Sequence, residues 1–172
     1  MGDVVEFLAR RRVALGGLTA VAALVLARPT WNSWYAGLAV AVVGLGIRVW
    51  AAGHLEKSRE VTTSGPYRWM RHPLYVGSTI LALGIVIAAR SYVVGALALL
   101  YIGTTIPAAI RSEEAFLRRT FGDAYDRYAR AEAEGVARRF SVERAVRNKE
   151  YRAVLGTVAG FALLALRVRL NL

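Results

Sequence analysis

Cysteine is absent from the 172 residues, so the chain has no disulfide, no thiolate metal ligand and no cysteine nucleophile. Histidine occurs only at positions 54 and 72, and two histidines with two glutamates far downstream make a poor ligand set, so we predict no metal site. The serines near His72 lack the elbow motif of a hydrolase, and no glycine-rich loop opens a Rossmann helix. These absences exclude a serine hydrolase and a soluble dinucleotide-binding fold.

Charged residues are also scarce, at 20% of the chain against 56% hydrophobic residues. The hydrophobic residues collect in runs close to the roughly 20 residues that cross a bilayer. We predict membrane spans at about residues 12–27, 34–53, 73–89, 92–109 and 153–168. The expected fold class is all-α: a polytopic integral membrane helical bundle of about five transmembrane helices, with further cytoplasmic surface helices over residues 112–131. Residues 1–172 would form a single membrane domain.

A formal net charge of +11 would suggest a nucleic-acid partner in a soluble protein. If the N terminus is cytoplasmic, however, eighteen Lys and Arg residues fall in inner segments, while outer loops hold only Arg28 and Arg90. This distribution follows the positive-inside rule and indicates contact with the lipid bilayer, not with nucleic acid. The excess of Arg over Lys, with abundant Ala and Gly, favours a bacterial source. We therefore expect a multi-pass protein of the bacterial inner membrane with a cytoplasmic N terminus.

The basic start followed by an apolar run is also the pattern of a signal peptide, and we interpret this run as a retained first span. Within the second predicted span, Arg48 either snorkels to the head groups or faces an inner pocket. In the last span, Gly156 and Gly160 form a small-xxx-small pair. Such a pair predicts close packing, either within the chain or between the protomers of a homo-oligomer.

Polar chemistry concentrates in residues 65–77, GPYRWMRHPLYVG, between two predicted spans. Pro73 suits the first turn of a new helix, because its missing N–H would have no partner there. The segment shares the inner membrane face with the end of the fourth span, so we expect a charged pocket at that face. Donors and acceptors that could hold a zwitterionic ligand by both ends are Arg71, His72, Arg111, Glu113 and Glu114.

The order of GPYRWMRHPLYVG, a helical hairpin, a Glu-Glu pair and FGDAYDRY resembles the isoprenylcysteine carboxyl methyltransferase family and its relatives, the phospholipid N-methyltransferases. The resemblance covers about residues 48–131, which would be the catalytic region. It implies a membrane methyltransferase that uses S-adenosyl-L-methionine at the cytoplasmic membrane face. The acceptor would be a lipophilic small molecule or a prenylated group that enters from the bilayer.

The resemblance also implies roles for single residues. The cofactor would be bound by Val61, Thr62, Tyr67, Arg71, His72, Pro73, Leu74, Tyr75 and Glu113. Arg111 is the candidate for holding an acceptor carboxylate, while His72 or Glu114 would accept the proton of an amine or phenol. The chain has Ala109 where the isoprenylcysteine enzymes have an arginine, so a carboxylate, an amine and a phenol all stay open as acceptors.

Two other functions stay open. A sterol-type NADPH reductase of the membrane has a related RHP-plus-tyrosine segment, although such enzymes tend to have Asn where this chain has Leu74. A non-enzymatic membrane adaptor would show no cofactor affinity and would tolerate the loss of His72. Binding of S-adenosyl-L-methionine and of NADPH separates the three.

Overall fold

The computed structural model describes residues 16–17 and 19–171, and all regular structure in that part of the chain is helical. The helices are α1 (residues 19–26), α2 (Trp31–Ala52), α3 (Pro73–Ala89), α4 (Tyr92–Phe121), α5 (Asp123–Ala129), α6 (Val142–Arg147) and α7 (Tyr151–Leu170). A single 3₁₀ turn, Gly65–Arg68, lies between α2 and α3. The all-α fold class expected from the apolar runs is confirmed.

Helices α2, α4 and α7 are each long and apolar enough to cross a membrane. Helix α3 is equally apolar but has 17 residues, which gives a length of about 26 Å at 1.5 Å per residue. The first predicted span, residues 12–27, lies partly outside the described residues. These helices are those of a helical membrane protein.

Helix α4 is longer than the predicted fourth span, which was placed at residues 92–109. It has 30 residues, continues through Pro107 and ends only at Gly122, whose φ of +48° breaks the helix. A proline removes one backbone hydrogen bond, and the remaining bonds of a helix can carry it past that residue. The first predicted surface helix is therefore an extension of α4, and the Glu-Glu pair lies on the same rigid element as the span.

Helices α2 and α3 pack with their backbones almost in contact. A Cβ placed on Gly37 would lie 2.4 Å from the carbonyl oxygen of Gly84, and one on Gly44 would lie 2.4 Å from the amide nitrogen of Leu81. Only glycine allows this approach, as is common between membrane helices. The close contact fixes the C-terminal half of α2 relative to the first turns of α3.

The buried core lies at the other end of this helix pair. It is built from small residues in α1, directly after α1, in α2 and in α3, together with larger residues of α4 and α7: Ala23, Ala27, Ala41, Ala88, Ala89, Val94, Phe161 and Leu164. The indole N–H of Trp34 donates to the carbonyl of Phe161 at 2.8 Å, which ties α2 to α7. Because the core fills one end of the bundle, the opposite end is left open.

In α7, a Cβ on Gly156 or Gly160 would have no described atom within 4 Å. Within the described chain, this pair therefore takes no part in close packing between helices. Packing between protomers of a homo-oligomer stays a prediction.

Candidate functional site

A cavity of about 560 Å³ opens at the end of the bundle where α2 ends and α3 begins. Its wall comes from the end of α2, the loop before the 3₁₀ turn, the first turn of α3, the extension of α4 and residues 148–150. The nine residues predicted to bind a cofactor all line it: Val61, Thr62, Tyr67, Arg71, His72, Pro73, Leu74, Tyr75 and Glu113. Residues up to 52 positions apart in sequence are thus brought together (61 to 113).

Tyr67 belongs to the 3₁₀ turn and forms part of this wall. Its carbonyl accepts a hydrogen bond of 2.9 Å from the Tyr128 hydroxyl, which joins the turn to α5. The Tyr67 side chain is buried, and this burial, together with the negative charge of Glu113, raises the pKa of its phenol above the usual value. Tyr67 therefore presents a neutral hydroxyl to the cavity.

His72 precedes α3 and is held from behind by Glu114. The Nε2 atom lies 3.1 Å from Glu114 Oε1, and since an ionised carboxylate only accepts, Nε2 carries the hydrogen. In the neutral ring this leaves Nδ1 unprotonated. The same carboxylate forms an ion pair of 3.2 Å with Arg71. Glu114 does not line the cavity, so it orients His72 and Arg71 instead of meeting a ligand itself.

Glu113 faces the cavity from α4 and makes no hydrogen bond or ion pair with any described residue. Adjacent positions on an α-helix point about 100° apart, which is why Glu113 and Glu114 serve different surroundings. Glu113 is thus the free carboxylate of the site, available to a cationic group of a ligand.

Arg111 is not brought to the cavity. It lies two positions before Glu113, about 200° around α4, and its side chain is exposed. Ala109, four positions before Glu113 and so on the same face, lines the cavity instead. The predicted role of Arg111 toward an acceptor carboxylate therefore finds no support in the geometry.

An ion pair that the sequence analysis missed lines the cavity between α2 and the start of α7. Arg48 meets Glu150 in a bidentate contact, with Nε to Oε1 at 2.7 Å and Nη2 to Oε2 at 3.0 Å. The Nη1 atom of Arg48 also donates to the Ser78 hydroxyl on α3. Of the two interpretations of Arg48, the structure supports the one that faces the pocket. Opposite charges near the inner ends of two predicted spans were the available signal.

Further ion pairs fasten the segment before α7 to the loop after α2. Glu56 binds Arg144 at 2.8 Å and Arg147 at 3.1 Å, and Glu60 binds Arg138 at 2.6 Å. Although partial burial alone would raise the pKa of Glu56, these guanidinium groups lower it below its usual value. The segment 138–147 is therefore an integral part of the cavity's surroundings.

Side chains suited to a metal ion are not clustered: no group of three or more His, Asp or Glu with that arrangement occurs among the described residues. The site instead combines a free carboxylate, an oriented imidazole, neutral phenols and an apolar wall. These are the groups that bind and align an organic ligand carrying a positive charge.

Comparison with known proteins gives concordant matches. Residues 19–124 match the model of the phospholipid methyltransferase family. A nickel-cobalt-cadmium resistance protein of Alcaligenes xylosoxydans xylosoxydans is 33% identical over 137 residues, which cover 73% of this chain and 64% of that protein. A protein-S-isoprenylcysteine O-methyltransferase of Schizosaccharomyces pombe is 34% identical over 85 residues, 49% of this chain and 36% of that protein.

A cobalt-zinc-cadmium resistance protein of Cupriavidus metallidurans is 32% identical, and the match covers 73% of this chain and 63% of that protein. The chain thus spans less than two thirds of the length of the metal-resistance relatives. No solved structure matches it. The resemblance drawn from the residues 65–77, the Glu-Glu pair and FGDAYDRY is confirmed: the chain belongs to the phospholipid methyltransferase family.

Proposed function

We propose that this protein is a membrane methyltransferase that moves the methyl group of S-adenosyl-L-methionine to a lipidic acceptor at the cytoplasmic membrane face. Membership of the family supports methyl transfer as the reaction. The observation that carries the choice of cofactor is the cavity of about 560 Å³, lined by all nine predicted cofactor residues and holding an unpaired Glu113. Its volume lies within the range of sites for ligands of this size.

The groups in the cavity match the chemistry of this cofactor. Glu113 would bind the ammonium group of the methionine part, and the guanidinium donors of Arg71 that Glu114 does not occupy would hold its carboxylate. The faces of Tyr67 and Tyr75 suit a sulfonium cation, because aromatic rings attract positive charge. When bound, the cofactor supplies a methyl carbon that the sulfonium has already activated for displacement.

The protein's own residues would align the acceptor with the methyl group and exclude water. Ala109, Phe116 and Leu117 of α4 form an apolar wall suited to the chain of a lipid. For an amine or phenol acceptor, the unprotonated Nδ1 of His72 would take the proton. A carboxylate acceptor needs no such base, but it would have to compete with Glu150 and Glu114 for Arg48 and Arg71.

The substrate class remains that of the prenylated and phospholipid acceptors suggested by the relatives. The protein-S-isoprenylcysteine O-methyltransferase of Schizosaccharomyces pombe favours a prenylcysteine for the first assay. Ala109 in the cavity wall favours including an amine and a phenolic lipid in the same assay.

The test is calorimetry on the purified protein in detergent, with S-adenosyl-L-methionine, its demethylated product and NADPH. We expect the wild type to bind the first two and not NADPH. Glu113→Gln keeps the side-chain shape but removes its charge, so it should weaken binding about tenfold or more. Glu143→Gln is the matched control, because Glu143 is exposed on α6 and has no ion pair within the described chain.

Binding of NADPH alone would overturn the proposal in favour of a reductase. Binding of none of the three ligands would overturn it in favour of an adaptor. Equal affinity of the wild type and Glu113→Gln for S-adenosyl-L-methionine would show that the Glu113 carboxylate does not bind the cofactor.

A further inference from the structure

A second cavity, of about 390 Å³, lies behind the wall of the first. Tyr67, Arg71 and Tyr128 line both cavities and separate them. The rest of the second cavity is formed by the 3₁₀ turn with the residues after it and by the chain between residues 129 and 135. None of the described residues that line it is acidic. The basic residues that line it are Arg68 and Arg71, and since Glu114 pairs with Arg71, the unpaired positive charge at the cavity is that of Arg68.

Arg68 differs from the arginines of the first cavity because it has no partner. Arg48 and Arg71 each bind a glutamate, whereas Arg68 makes no hydrogen bond or ion pair within the described chain. A cationic side chain without a counter-ion, beside a cavity without a carboxylate, is suited to an anionic ligand.

The position of Arg68 is nevertheless defined by its surroundings. The guanidinium lies against the backbone of Gly135, where a Cβ would come within 2.8 Å of Arg68 Nε and 3.2 Å of Nη2. The next residue, Val136, donates its backbone N–H to the Thr63 hydroxyl at 3.0 Å, which holds this part of the chain in place. The side chain is exposed, and its guanidinium lies over a glycine whose neighbour is held in place.

Tryptophans place the second cavity at the level of the lipid head groups. The Trp69 side chain is 73% exposed, although it is among the largest apolar groups of the chain. Its ring lies 5.6 Å from that of Trp50, which is in the last turn of α2 and is also exposed. Exposed tryptophans at the end of a membrane helix lie at the interface between lipid and water. Met70 beside them is exposed as well.

We propose that the second cavity binds the head group of an anionic phospholipid, with the phosphate at Arg68 and the acyl chains beside Trp69 and Met70. The bound lipid is distinct from the methyl acceptor, because Arg68 and Trp69 do not line the first cavity. The proposal goes beyond the methyl transfer proposed above and does not depend on it. Arg68 supplies the charge, Gly135 positions it, and the tryptophans supply the apolar contact.

The experiment measures the affinity of the full-length protein in neutral detergent for short-chain phosphatidylglycerol, with inorganic phosphate as a competitor. Arg68→Gln removes the charge, and Gly135→Ala displaces the guanidinium without changing any charge. We expect each to weaken phosphatidylglycerol binding about fivefold, the effect of roughly one basic side chain near an anionic lipid surface. Arg68→Lys should retain part of the affinity, since it keeps the charge but not the fork of donors.

Arg119→Gln is the matched control, because Arg119 is exposed on α4, lines neither cavity and has no ion pair within the described chain. Equal binding by the wild type, Arg68→Gln and Gly135→Ala would overturn the proposal. An equal loss in Arg119→Gln would also overturn it, since the attraction would then come from the general surface charge. If inorganic phosphate competes with an affinity equal to that of phosphatidylglycerol, the cavity binds free phosphate and the lipid proposal is overturned. Binding of S-adenosyl-L-methionine is measured separately, so failure of either proposal leaves the other to its own test.

Discussion

Replacing Glu150 by glutamine tests whether the chain after the family-matched residues completes the first cavity. The Glu150 side chain is 7% exposed and that of Arg48 is 22% exposed, so their bidentate contact is largely withdrawn from water. Glutamine keeps the shape of the side chain but leaves the Arg48 charge without a counter-charge. Breaking such a pair by removing one charge costs about 3–5 kcal/mol.

We expect the lower end of that range, about 3 kcal/mol in the free energy of unfolding, for Glu150→Gln. The reason is that Arg48 retains its contact with the Ser78 hydroxyl and some exposure to the cavity. Replacing both partners together, in Arg48→Met/Glu150→Met, should cost less than the single change, because no unpaired charge remains. The smaller cost of the double change than of the single change is the more decisive part of the prediction.

The assay is reversible unfolding in mixed detergent and denaturant micelles, followed by circular dichroism, with Glu143→Gln as the control on the same segment. Binding of S-adenosyl-L-methionine is measured at the same time, because a disturbed Arg48 would disturb the first turns of α3. A loss below about 0.5 kcal/mol in Glu150→Gln would match an exposed pair and refute the reasoning. Additive losses in the double variant would refute it as well.

Further predictions concern packing, pH and hydrogen bonding. Gly44→Ala should destabilise the fold by about 1–3 kcal/mol because its Cβ would meet the backbone of α3, whereas Gly46→Ala, with no atom of the described residues within 4 Å of the added Cβ, should be neutral in the same unfolding assay. Burial, together with the positive charge of two nearby arginines, lowers the pKa of His54 below 6.5, so its stabilising contribution is present above that pH and is lost as the pH falls through the lowered pKa. Thermal unfolding between pH 7 and pH 5 should show this loss, and His54→Gln should reduce it; an unchanged pH profile would contradict the assignment. Tyr128→Phe removes the hydrogen bond to the Tyr67 carbonyl, which should cost about 1 kcal/mol and raise the Kd of the cofactor measured by calorimetry, while an unchanged Kd would show that the bond does not position Tyr67.

How far the sequence could predict the site depended on whether its residues are close in sequence. Eight of the nine residues predicted to bind the cofactor lie close together in sequence, in the loop and first turn around Pro73, so one motif indicated them as a group. All nine line the cavity, and their role stays a prediction. Which of Glu113 and Glu114 faces the cavity depends on how α4 is rotated about its own axis. That rotation depends on how an unbroken helix packs, so the sequence could not show that Glu113 lines the cavity while Arg111 does not.

The sequence shows which charges could pair, but it does not specify which distant positions are in contact. Arg48 and Glu150 are 102 positions apart, and nothing in either local pattern specifies the other as its partner. The extension of α4 beyond the predicted end of the span at residue 109 was missed because the residues after it are charged, and an apolar run marks only the part of a helix that can lie in lipid. Apolar runs predicted which residues are helical far better than they predicted which helices meet.

The separation between the buried core and the cavity bears on how such a protein can change over evolution. The core residues occupy the end of the bundle near the hairpin of α3 and α4, while the cavity wall at Ala109, Phe116 and Leu117 belongs to the other end. Substitutions that reshape this wall remove no contact from the core, and sites this far apart contribute to stability almost additively. On the proposed function, this separation would let the wall change for a new lipid acceptor one residue at a time without first acquiring stabilising changes in the core.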